Sequence, residues 1–95
     1  MKKETDKKLL ELAAKAARKD IDLSRYDSDY GFAIRHMAKW WNPRTDDGDA
    51  LRLAVKLMNF EPYKSRGLTP FITNDGKATR QAIVRAAAEI GRSMP

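Results

Sequence analysis

The chain has 95 residues, 42% hydrophobic and 34% charged, with nineteen Lys and Arg against thirteen acids and a net charge of +6. This length predicts one domain, spanning 1–95, with a single modest core, and the composition excludes a disordered chain. No apolar run approaches the roughly 18 residues of a membrane span, and the absence of cysteine excludes disulfides and thiolate metal sites.

The positive balance favours anionic partners such as nucleotides, nucleic acid or acidic protein surfaces. Residues 1–4 are expected to be a flexible tail. The opening Met1-Lys2-Lys3-Glu4-Thr5-Asp6-Lys7-Lys8 is too polar to begin a secretory signal.

The spacing predicts a first helix over 5–19. Thr5 or Asp6 can cap it, and Leu9, Leu12, Ala13, Ala16 and Ala17 recur at helical intervals. Ile21 and Leu23 are expected to anchor a connecting segment. Asp27-Ser28-Asp29-Tyr30-Gly31 carries turn chemistry. Beyond it, Phe32, Ile34, His36, Ala38 and Trp40 alternate as a strand would, while Tyr30, Ala33, Ile34, Met37, Ala38 and Trp41 also fit one helical face. The aromatic and β-branched residues on the alternating face favour a strand over 31–37.

Pro43 ends that stretch, and a second helix is predicted over 46–58. Asp46 is its N-cap, and Asp49 stands three residues on, as in a capping box. Leu51, Ala54, Val55 and Met58 are expected to line its buried face, with Ala50, Leu53 and Leu57 extending it. Arg52 and Lys56 form an exposed pair, and Asn59 is the expected C-cap. Residues 60–73 hold Pro62, Gly67 and Pro70 among apolar residues including Leu68, which predicts short edge strands or an irregular hairpin. Asn74-Asp75-Gly76 then opens a last helix over 76–91. Thr79, Ala82, Ile83, Ala86, Ala87 and Ile90 form its buried side, Arg80, Arg85 and Arg92 its solvated side, and Gly91 its stop. The sequence therefore predicts an α+β fold: a small antiparallel sheet, built from 30–40 and 60–73, packed between about three helices in an α/β/α sandwich-like arrangement.

No catalytic pattern is recognisable. Asp46, Asp47 and Asp49 lack the spacing of a calcium loop and are better explained as helix-starting acids. His36 is the only histidine and has no cysteine to share a metal. No metal, cofactor or catalytic residue is expected. On one strand, Trp40 and Trp41 would face opposite ways, one into the core. An exposed Trp40 beside Arg35, Lys39 and Arg44 would stack on a base while the cations hold phosphate. A second cluster, Tyr63-Lys64-Ser65-Arg66-Gly67, joins an aromatic and two cations in an expected loop and suits an anion. The candidate ligand-binding residues are thus Arg35, Lys39, Trp40, Arg44, Tyr63, Lys64 and Arg66.

Three runs, 5–17, 41–57 and 78–91, resemble the phage ABA-sandwich family of small tailed-phage proteins, a group similar to the NinX-like proteins. The most specific part is Asn42-Pro43-Arg44-Thr45-Asp46-Asp47-Gly48-Asp49-Ala50. The resemblance implies a phage origin and a small sheet with helices on both sides, and it brings no activity and no catalytic residues. Arg44 departs from the pattern, where relatives carry an apolar residue, and 24–40 and 59–76 also differ. In that setting the expected function is non-enzymatic counter-defence in the host cytoplasm, by sequestering a phosphorylated nucleotide-type immune signal. The alternatives are a host defence protein or nucleic acid as the partner. A homodimer is expected, because so short a chain has little concave surface.

Overall fold

The computed structural model describes residues 5–67 and 69–94; the expectations for 1–4 and for Leu68 lie outside them. Helix α1 (Asp6–Ala17) leads into strands β1 (Ile21–Asp27), β2 (Gly31–Ile34) and β3 (Trp40–Trp41). Helix α2 (Asp47–Leu57), the short helix α3 (Tyr63–Arg66), a 3-10 turn (Thr69–Phe71) and helix α4 (Gly76–Ser93) complete the chain. The strands form one antiparallel sheet in the order β1-β2-β3. The result is the expected small α+β fold, a three-stranded sheet packed with the helices in a sandwich-like arrangement.

The helix starts follow their caps. Thr5 Oγ1 accepts from the Lys8 backbone N–H at 3.2 Å, Asp46 Oδ2 from that of Asp49 at 2.7 Å, and Asp75 Oδ1 from that of Lys77 at 3.0 Å. Each acceptor satisfies a donor that the first helical turn leaves unpaired. Arg18 closes α1 in the left-handed region at φ 54°. Lys56, exposed as expected, also reaches back and donates to the Ala17 carbonyl at 2.9 Å, where a cation suits the helix end. Helix α2 ends at Leu57 with Met58, not Asn59, as its C-cap.

Helices α2 and α4 differ from expectation, one in its buried face and the other in where it ends. In α2 the stripe Ala50, Leu53, Ala54, Leu57 is buried, whereas Leu51 and Val55 are exposed. The apolar residues of this helix spread over more than one face, and the i, i+3, i+4, i+7 stripe is the one that meets the core. Helix α4 runs past Gly91 to Ser93. Gly91 is a contact residue and not a stop: a Cβ built there would lie 2.0 Å from the Leu12 carbonyl oxygen. Alanines at 86, 87 and 88 keep α4 thin along the buried side, and α1 packs against it more extensively than against any other element.

The sheet corrects the reading of three segments. Residues 21–27 form strand β1 and not a connector. Ile21 pairs with Ile34 and Asp22 with Ala33, but the next partners are Tyr26 and Phe32. Leu23, Ser24 and Arg25 bulge out between them, so the inward residues Ile21 and Tyr26 are five apart and the period-two signal is lost. Residues 60–73 form no strand among the described residues; they fold into α3 and the 3-10 turn, with the Tyr63 ring 4.9 Å from that of Phe71. The strand expected over 31–37 stops at Ile34, because His36 takes φ 62° and turns the chain into β3.

The Trp-Trp-Asn-Pro run is a structural joint. Trp41 is buried opposite Phe32, and Pro43 is fully buried. Asn42 is a buried polar residue: its Nδ2 donates to the Asp29 carbonyl at 3.0 Å and its Oδ1 accepts from the Arg44 backbone N–H at 3.1 Å. Its backbone N–H donates to Asp49 Oδ2 at 3.0 Å, so Asp49 holds the β3–α2 joint rather than closing a capping box on Asp46. Gly31, at φ +83°, passes so close that a Cβ would lie 2.2 Å from the Trp41 carbonyl oxygen.

Candidate functional site

The register that buries Trp41 turns Trp40 outwards. Trp40 pairs with Ala33, and Ala33 with Asp22, so these three share one face of the sheet. Trp40 is 40% exposed, against 3% for Trp41. The Tyr30 ring lies 5.8 Å from the Trp40 ring, and the Arg25 guanidinium carbon lies 5.7 Å from its centroid. The β1 bulge therefore delivers Arg25 to the indole, a contact whose attraction comes from the ring quadrupole.

Around this group lies a partly open cleft of about 690 Å³, whose lining includes Asp22, Arg25, Arg35, His36, Lys39 and Trp40. That volume is within the range of small-molecule sites, about 300–1,000 Å³. Arg35 is positioned by the chain at the start of β1: its Nε donates to the Ile21 carbonyl at 3.1 Å and lies 3.3 Å from the Asp20 carboxylate. Arg25, Arg35 and Lys39 thus share the cleft lining with one carboxylate, Asp22. Hydrogen bonds from the Ser24 hydroxyl (2.6 Å) and backbone N–H (3.0 Å) hold Asp22 below the usual carboxylate range, aided by the charges of Arg35 and Arg25.

Of the expected site residues, Arg35, Lys39 and Trp40 come together in this cleft; Arg44, Tyr63, Lys64 and Arg66 do not line it. Arg44 is three-quarters buried and ion-paired with Asp6 at 3.0 Å. Tyr63 packs against the core, while Lys64 and Arg66 project from α3 rather than from a loop. Sequence reasoning missed Asp22, Arg25 and Tyr30. The bulge that brings Arg25 in has no periodic signal, although Asp22 and Ser24 at i, i+2 carry the side-chain turn that supports it.

Another concavity, of about 360 Å³, lies between α2 and α4 and is lined mainly by apolar residues such as Ala54, Phe71, Ile72 and Ile83. Its charged members, Asp47 and Arg80, pair with each other at 2.7 Å, so it is the poorer site for an anion. Arg80, expected on a solvated face, is only 21% exposed and also donates to the Arg44 carbonyl at 2.9 Å. Among the described residues no group of three or more His, Asp or Glu is placed to hold a metal, and no helix is long and apolar enough to cross a membrane. No family model, curated protein or solved structure matches the chain.

Proposed function

We propose that this protein is a non-enzymatic binding protein that sequesters a phosphorylated nucleotide-type ligand in the Trp40 cleft. The observation that carries the reading is one surface with a half-exposed indole, Arg25 against that indole, and Arg35 and Lys39 in the same lining. A base stacks on Trp40 and phosphate oxygens accept charge-assisted hydrogen bonds from the cations. In the phage setting that the sequence resemblance implies, the ligand is a nucleotide immune signal and the protein acts against defence in the host cytoplasm.

Calorimetry with nucleoside monophosphates tests this reading. Arg25→Ala and Lys39→Ala should each weaken binding by about 1.5–3 kcal/mol, the range for hydrogen bonds to charged groups. Unchanged affinity in both variants would place the site elsewhere. The open side of the cleft and the net charge of +6 favour nucleic acid as a second reading. That reading requires affinity to rise with oligonucleotide length and to fall steeply with salt. A stable protein partner retained without any nucleotide response would favour the host-protein alternative.

A further inference from the structure

Asp22 is the one acid among the described residues lining an otherwise basic cleft. Both of its hydrogen bonds to Ser24 end on Oδ1, and Oδ2 has no partner among the described residues. Holding the bulge needs only the oxygen already used. The carboxylate stands two strands from the stacking indole, in the row Asp22, Ala33, Trp40. Neighbouring Cα atoms across such a ladder are about 4.5–5.5 Å apart, so Asp22 and Trp40 are roughly 10 Å apart at the backbone. The side chain between them is a single methyl, which leaves room for a planar base.

We propose that the cleft selects guanine nucleotides, with the Asp22 carboxylate accepting the N1–H and 2-amino protons of a base held on Trp40. The proposal rests on the nucleotide reading given above and adds the identity of the base. Guanine alone among the common bases presents two adjacent donors of this kind on its pairing edge. Adenine offers its amino group beside a ring acceptor, which a carboxylate repels. The carboxylate stays ionised through the neutral range, because Ser24 stabilises its charged form. Arg25 and Lys39 remain for the phosphate, beside Arg35, which Ile21 and Asp20 already hold.

The test is calorimetry of the full chain with GMP, IMP, AMP, 2′-deoxy-GMP and N1-methyl-GMP. GMP should bind about 10- to 100-fold more tightly than AMP, as two hydrogen bonds to a charged group imply. IMP, which lacks the 2-amino group, should fall between them, and N1-methyl-GMP should bind as weakly as AMP. Asp22→Asn keeps Oδ1 for Ser24 but replaces the free acceptor with a donor, so it should bring GMP and AMP to the same affinity. The N1-methyl and IMP comparisons need no variant and stand even if Asp22→Asn fails to fold. Equal binding of GMP and AMP by the wild type, or a preference surviving in Asp22→Asn, would overturn guanine selection by Asp22 and leave the nucleotide reading intact. A drop for 2′-deoxy-GMP with no difference among bases would reassign Asp22 to the ribose and overturn the proposal. Absence of binding by every nucleotide would overturn both.

Discussion

Gly91→Ala separates helix propensity from helix packing. Inside an isolated helix the change should stabilise by about 1 kcal/mol. Here the new methyl would meet backbone atoms of α1, at 2.0 Å from the Leu12 carbonyl oxygen and 2.8 Å from its carbon. An ordinary carbon–oxygen contact is about 3.3 Å or more, so α1 and α4 must part by roughly 1.3 Å. The neighbour is backbone and cannot rotate away, which puts the cost near the upper end of the roughly 1–3 kcal/mol typical of overpacking. The net expectation is a loss of about 1–2 kcal/mol, or a fall in Tm of about 5–15 °C for a domain of this size. Gly48→Ala is the control: its Cβ would meet only side-chain ends of Asp46 and Arg52, at 3.2 Å and beyond. With no backbone in the way, that variant should match wild type or gain up to about 1 kcal/mol from helix propensity. Thermal and urea unfolding of both measure the difference. A Gly91→Ala protein as stable as wild type would refute the close α1–α4 crossing.

Asp46→Ala should destabilise by about 1 kcal/mol in denaturant unfolding, through loss of the bond to the Asp49 N–H. Arg80→Ala should cost about 1 kcal/mol in the same assay. Most of that comes from the bond to the Arg44 carbonyl, since Asp47 is 87% exposed and its ion pair is screened. The cleft of one protomer is partly open, so a twofold dimer covering it is expected to enclose the ligand. Sedimentation across the micromolar range should show a dimer that GMP strengthens; a monomer in both conditions would leave each cleft to work alone.

The three long helices were legible because each carries its own start signal. Thr5, Asp46 and Asp75 are short polar side chains placed ahead of apolar periodicity, and all three cap. The opposite facing of Trp40 and Trp41 followed from strand geometry once the pair lay on one strand. Strand β1 was not legible, because its bulge inserts Leu23, Ser24 and Arg25 without pairing partners. The role of Gly91 was hidden for a different reason. A glycine near a helix end reads as a stop, and only the position of α1 shows that it is a crossing point. Half of the candidate site shared that fate: Arg35, Lys39 and Trp40 are near neighbours in sequence, whereas Asp22 and Arg25 join them only through strand pairing. Arg44 looked free beside Trp41, but its side chain turns to Asp6 in α1, a contact between segments far apart in sequence.

Tryptophan emission tests nucleotide binding at Trp40 most directly, because the protein has two tryptophans and only Trp40 is exposed. Titration with GMP should quench wild-type emission and saturate. In Trp40→Phe, where only the buried Trp41 remains to emit, the same titration should leave emission unchanged even as calorimetry still detects weakened binding. Absence of quenching in the wild type, or equal quenching in Trp40→Phe, would contradict a nucleotide site on the Trp40 face.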